Sequence, residues 1–346
     1  MNKLHRARLV ATTATFLAVA TSVIVACVGD DSPAGPATPD SDGGDAASDT
    51  GSPEPEPPDA GSKADADADA AADAGPACDK TKPFATPVEV TELNGTPSGG
   101  ARLTADMRTV YFHAGGGSAG RLYMATRASS SGPFGTPVLV PGLTTSAQDG
   151  GAAEHATIPA LSPDGLTIYF QSFRSAPAPS ATVNLWTATR GSAGASFGAP
   201  SLVPEINGAE NTGQPFVTAS GTTLYFSPRR GGSGAANVFI HRAPISAQGV
   251  VGPGEPVDEL LSATSREEAP VLTVDELTIY FARDYDVWSA TRADTQSAFS
   301  NLASVPNVSD ETGQDFPTWI SPDECVLYLQ SSRTGDTKIF VATRPK

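Results

Sequence analysis

Basic residues are scarce in this 346-residue sequence: 22 Lys and Arg stand against 38 Asp and Glu, a formal net charge of −16. A phosphate-binding surface needs clustered Lys and Arg, so nucleic acid is excluded as an expected partner. Charge of either sign is sparse, at 17% of residues, beside 34 Gly and 30 Pro. That balance argues against a helical bundle or coiled coil and suits an all-β fold with many turns. After residue 26 no apolar run approaches membrane-spanning length. Phosphate loops and dinucleotide fingerprints are missing, so no nucleotide cofactor is expected. The four histidines, His5, His113, His155 and His241, lack metal-ligand spacing, so no metal site is expected either. Cysteine is rarer still, at three.

What is present is unevenly spread. Lys3, Arg6 and Arg8 precede an uncharged apolar stretch, Leu9 to Ala26, the layout of an export signal. It ends in Ile24-Val25-Ala26-Cys27, which resembles the bacterial lipobox. The resemblance implies a signal peptide over 1–26 and lipid attachment at Cys27; a plain secretory signal or an uncleaved anchor are the alternatives. Residues 28–78 carry 13 acids against the single Lys63 and almost nothing large and apolar, so 27–78 reads as the lipid-attachment Cys followed by a disordered Asp/Ala/Pro-rich linker. Asp65, Asp67 and Asp69 mimic the start of a calcium loop, but Ala70 and Pro76 occupy the Gly and Glu positions, which leaves solvated charge as the reading.

From residue 79 the chain repeats itself. Tyr111, Tyr169, Tyr225, Tyr280 and Tyr328 each sit in an apolar strand core, 58, 56, 55 and 48 residues apart. A second strand follows and ends in a basic mark: Leu122 to Arg127, Leu185 to Arg190, Val238 to Arg242, Val287 to Arg292 and Ile339 to Arg344. An aromatic leading into Pro and an aliphatic strand comes next at Phe84 to Val90, Phe134 to Val140 and Phe197 to Val203. Before the Tyr strand stands a Pro-bearing segment and a turn, as in Pro159 to Gly165. Four short strands at a period near 50 predict propeller blades. The pattern from Pro159 through Arg190 resembles the TolB-type WD40-like repeat, and the resemblance covers about residues 83 to 346.

The expected fold is therefore an all-β propeller over 79–346 with four-stranded blades, five in number, six being the alternative. The turn acid is missing from the third repeat, Ala219-Ser220-Gly221, so that acid reads as hairpin chemistry. The folded part opens on an isolated fourth-strand motif and stops after a third-strand motif, so the first strand should complete the last blade and leave no open edge. Cys78 and Cys325 then fall on the same blade, 247 positions apart, and are expected to form a disulfide; two unpaired thiols are the alternative.

No catalytic residue is expected. Gly116 to Gly120 satisfies Gly-x-Ser-x-Gly, yet it joins two strands of one blade where a nucleophile elbow needs a helix after it. Polar residues before the inner strands, Glu154 and His155, Glu210 and Asn211, Glu267 and Glu268, Glu311 and Asp315, are candidates for a channel-rim binding site. The first repeat offers only Gly99-Gly100-Ala101-Arg102 there. Resemblance to TolB implies an interaction role. The expected function is a monomeric, non-catalytic binding scaffold in a bacterial cell envelope. It would be held to the membrane through Cys27, on the periplasmic side or at the cell surface, and would meet an envelope protein or glycan through loops such as Thr144 to Ala156 and Arg229 to Ala236. The alternative is a carbohydrate-active propeller using the rim carboxylates.

Overall fold

The computed structural model describes residues 78–346 apart from 96, 117–118, 144–154, 174–181, 209–210 and 230–237. Cys27, the linker through residue 77, Glu154, Glu210, Ser118 and most of the two specificity loops lie outside the described residues. The described chain forms five antiparallel four-stranded sheets, which are the blades of a β-propeller. Strand β1 (Val88–Glu89) comes first and belongs to the last blade. Blade 1 is β2 (Ser98–Leu103), β3 (Thr109–Ala114), β4 (Arg121–Thr126) and β5 (Val138–Leu139). Blade 2 is β6 (Thr157–Leu161), β7 (Thr167–Ser172), β8 (Asn184–Thr189) and β9 (Ser201–Leu202). Blade 3 is β10 (Thr212–Val217), β11 (Thr223–Pro228), β12 (His241–Pro244) and β13 (Glu255–Pro256). Blade 4 is β14 (Glu267–Leu272), β15 (Thr278–Arg283), β16 (Asp286–Thr291) and β17 (Ser300–Ser304). Blade 5 is β18 (Asp315–Ile320), β19 (Val326–Thr334), β20 (Asp336–Thr343) and β1.

The ring closes as the end motifs require. Val88 and Glu89 pair with Val341 and Phe340, Asp79 N donates to Pro345 O at 2.9 Å, and Cys78 is disulfide-bonded to Cys325. The inner strands β2, β6, β10, β14 and β18 touch in cyclic order, so none has an open edge toward a missing neighbour. Strand alternation supplies the packing between blades. Val110 and Phe112 face blade 5, whereas Tyr111 faces blade 2; Leu224 and Phe226 face blade 2, whereas Tyr225 faces blade 4. One apolar cluster thus fills each of the five gaps between blades.

The repeat signature is absorbed by this framework. Arg127, Arg190, Arg292 and Arg344 donate from Nε to the turn carbonyls of Met107, Gly165, Glu276 and Glu324 at 2.7 to 3.1 Å. Each guanidinium also lies 4.0 to 4.6 Å from a ring centroid, on Phe134, Phe197, Phe299 and Phe84 respectively. Arg190 and Arg344 then reach the hydroxyls of Tyr111 and Tyr280 in the preceding blade, at 3.2 and 3.3 Å. The arginine therefore ties its own hairpin to the next strand and to the neighbouring blade.

Blade 3 corrects the alignment of its basic mark. Tyr225 pairs with Arg242, whereas in blade 2 the residue opposite Tyr169 is Thr187, three before Arg190. Ile245, whose N–H donates to Thr222 O as Arg190 N–H donates to Leu166 O, holds the arginine's place. It bridges to Val251, so an aliphatic pair replaces the Arg–Phe stack.

The turn acids do what local chemistry predicts. Ser162 Oγ and Leu166 N both donate to Asp164 Oδ1, at 2.5 and 2.9 Å, and Gly165 takes φ 68°. Thr104 with Asp106, Thr273 with Asp275 and Ser321 with Asp323 repeat the motif, and in blade 3 Ser220 stands in for the acid.

Candidate functional site

A propeller offers a ligand the two mouths of its central channel. One lies where the inner strands begin, the other beside the turns where they end.

At the strand-start mouth β2, β10, β14 and β18 begin at Ser98, Thr212, Glu267 and Asp315, all buried. Of the candidate acids only Glu267 and Asp315 open their strands. Each is held by an arginine at the far end of the following strand, brought opposite by the antiparallel hairpin. Arg333 Nη2 donates to Asp315 Oδ1 at 2.7 Å and to Val308 O at 2.6 Å, while Asp310 N donates to Asp315 Oδ2 at 2.7 Å. Arg283 donates from Nε to Glu267 Oε1 at 3.1 Å and from Nη2 to Leu260 O at 2.9 Å. Glu268, one residue on, is buried 2.5 Å from Arg266 Nη2, and the Arg266 guanidinium lies 4.6 Å from the Tyr285 ring centroid. Burial pushes the Glu267 carboxyl up to about 7 against the opposing pull of Arg283, and pushes Glu268 up against Arg266.

The remaining candidates divide. His155 is buried, its ring 4.6 Å from that of Phe173, and Ser172 Oγ donates to its backbone carbonyl. Its neighbour His113 accepts from Ile158 N at 3.4 Å, and burial, with His155 adding to it, holds His113 down at about 3, a neutral imidazole. Asn211 is exposed and accepts from Val183 N at 2.9 Å; Glu311 is exposed. Among the described residues no group of three His, Cys, Asp or Glu is placed to hold a metal ion.

Between the mouths each inner strand carries a β-bulge, which shifts its register after Gly99, Thr157, Gly213, Glu268 and Pro317. Gly100, Ile158, Gln214 and Ala269 take positive φ there, 63°, 49°, 56° and 56°. A β-branched residue such as Ile158 rarely tolerates that region. The residues just past the bulges, which all pair with a repeat Tyr, are Arg102, Ala160, Phe216, Val271 and Trp319.

Arg102 is the odd member of that set, and the sequence pattern did not single it out. Its side chain crosses from blade 1 to blades 2 and 3. Nε donates to Pro159 O at 3.3 Å and Nη2 to Pro215 O at 3.0 Å, and the guanidinium lies 5.2 Å from the Phe216 ring centroid. Ala160, small where other blades carry a larger side chain, stands on the blade that the arginine crosses. Arg102 is 5% exposed and its Nη1 has no hydrogen-bond partner. Burial alone brings its pKa down to about 9.

At the turn-side mouth lies a cavity of about 380 Å³ that Arg102 lines together with residues of all five blades. Its walls are mainly apolar, with Leu103, Leu161, Val217, Leu272 and Trp319 among them. The signal that would have found it was an arginine at the rung where the other repeats carry Ala, Phe, Val and Trp. A search for acids passes over it.

No family model and no curated protein sequence matches the chain. Solved structures do. A thermostable family-43 glycoside hydrolase superposes with TM-score 0.51 at 14% identity, covering 72% of this chain and 91% of that one. The endo-arabinase from Bacteroides thetaiotaomicron VPI-5482 gives TM-score 0.50 at 10% identity, covering 75% and 96%. TolB from Acinetobacter baumannii gives TM-score 0.42 at 14% identity, covering 72% of this chain and 55% of that chain. At such identities the likeness shows the propeller fold alone.

Proposed function

We propose that the chain is a non-catalytic binding propeller of a bacterial cell envelope, presented by a lipidated, acidic tether. The observation that carries the reading is the pairing of the three buried carboxylates in the candidate rim set, each with its own arginine: Glu267 with Arg283, Glu268 with Arg266, Asp315 with Arg333. Glycoside hydrolysis needs one carboxyl that gives up a proton and a second that attacks or activates water, both open to the sugar. Here the acids are buried and fasten the start of an inner strand to the following strand and to the preceding loop. The disulfide between Cys78 and Cys325 supports export, since such bonds persist in oxidising compartments. Cys27, with the apolar run before it, supports a lipid anchor, and residues 28–78 a linker.

The carbohydrate-active reading has one observation of its own: Glu267, lifted to about 7, titrates where a general acid would. Incubation of the full chain with arabino-oligosaccharides and a reducing-end assay separates the two. The binding reading expects no release above the substrate blank. Release that disappears in Glu267→Gln or Asp315→Asn would establish hydrolysis in its place.

A further inference from the structure

We propose that the turn-side cavity is a ligand site for a small organic monocarboxylate with an apolar body. The carboxylate would sit on the Arg102 guanidinium and the body between Trp319, Leu103, Leu161 and Val217. This site is at the opposite mouth from the carboxylates and stands or falls independently of the function proposed above.

Charge bookkeeping leads to the ligand's sign. A buried charge is normally paired. Arg266, Arg283 and Arg333 at the other mouth each have a carboxylate within 3.1 Å, and Arg292 has Glu276 at 3.8 Å. Arg102, as buried as any of them, has two carbonyls and an aromatic face, and no Asp or Glu is among the described residues that line its cavity. One of its amines has no partner at all. A guanidinium with an unpartnered donor beside a mainly apolar cleft suits the planar fork of a carboxylate.

The walls decide the rest. They are mainly apolar, and Trp319 and the aliphatic side chains would cover a hydrocarbon or aryl body, which a small, strongly hydrated ion such as inorganic phosphate lacks. Asp106, Asp164, Asp275 and Asp323 stand in the turns of this face, each engaged by its own turn. Their charge disfavours a second negative group, which restricts the ligand to a single carboxylate. The volume, about 380 Å³, lies at the lower end of the range of about 300–1,000 Å³ for small-molecule pockets.

Calorimetric titration of the full chain with 4-phenylbutyrate, beside its neutral isostere 4-phenylbutyramide, tests this. The acid is expected to bind at one site per chain and about tenfold to a hundredfold more tightly than the amide, the range for a hydrogen bond to a charged group. Arg102→Met should erase that preference. Leu161→Trp fills the cavity without touching Arg102 and should abolish binding of both probes, so the acid-to-amide ratio and this variant decide the matter even where Arg102→Met fails to fold. Equal affinity for acid and amide, no saturable binding at millimolar concentration, full binding by Leu161→Trp, or displacement of the probe by inorganic phosphate would each overturn the proposal.

Discussion

At the strand-start mouth Glu267, Glu268 and Asp315 are each matched by an arginine, whereas at the turn-side mouth Arg102 is buried with only carbonyls and a phenylalanine ring for company. A count of acids along the chain would place the chemistry at the first mouth. Pairing reverses that inference. Charges paired inside a fold compensate one another, while a buried charge without a counter-charge can take one from outside.

The sharpest way to break the comparison is to remove one member of a matched pair. Arg333→Met leaves Asp315, wholly buried, without its cation, and is expected to cost about 3–5 kcal/mol in denaturant unfolding. Asp315→Leu combined with Arg333→Met should recover most of that loss, because no orphaned charge remains. On the turn side, Cys78→Ser with Cys325→Ser opens the clasp of a loop of 247 positions. The expected loss is about 2–4 kcal/mol, measured as the shift in denaturation midpoint against the oxidised protein.

How much of this was legible in the sequence follows the range of the interactions. The turns, the Tyr strands and the closing strand were readable because alternation, Pro-Asp-Gly chemistry and the odd fourth-strand motif at Phe84 to Val90 act over a few residues. The third basic mark was misread because Val238 to Arg242 imitates the end of the other third strands. Only the ladder reveals that Ile245 stands in the arginine's place. Glu267 and Asp315 looked free because their arginines lie a hairpin away, 16 and 18 residues along the chain. Arg102 was invisible as a site because its acceptors lie one and two blades off, 57 and 113 residues along the chain. Bulges such as the one at Ile158, which shape the channel wall, carry no residue signature of their own outside glycine.

Glu267 makes the matched mouth sensitive to pH. Its carboxyl in the folded chain rises from an ordinary 4.5 to about 7, so between those values the folded state holds a proton that the unfolded state has released. Stability from this group is therefore greatest below about pH 4.5 and falls as pH rises toward 7. Unfolding titrations of wild type and Glu267→Gln at pH 5 and pH 7 should differ, with the variant losing about 1–2 kcal/mol less over that interval. A wild type whose stability rises over the same interval, relative to the variant, would show that Arg283 dominates and that Glu267 is held ionised.

The smallest expected effect sharpens the comparison most. Arg102→Met makes the same replacement as Arg333→Met, a buried guanidinium for an apolar chain of similar reach, yet it strands no carboxylate. The variant loses two hydrogen bonds to carbonyls and the contact with Phe216, and it is relieved of burying an uncompensated charge. Those contributions oppose one another, so the net change should stay within about 1 kcal/mol of wild type, in either direction. Such a result beside a loss several times larger in Arg333→Met separates an arginine that the fold requires from one that it merely accommodates. A loss in Arg102→Met as large as that in Arg333→Met would make the arginine a structural bolt across the channel. A near-neutral result leaves the burial of a charge that stability does not require, for which a ligand is the remaining reason.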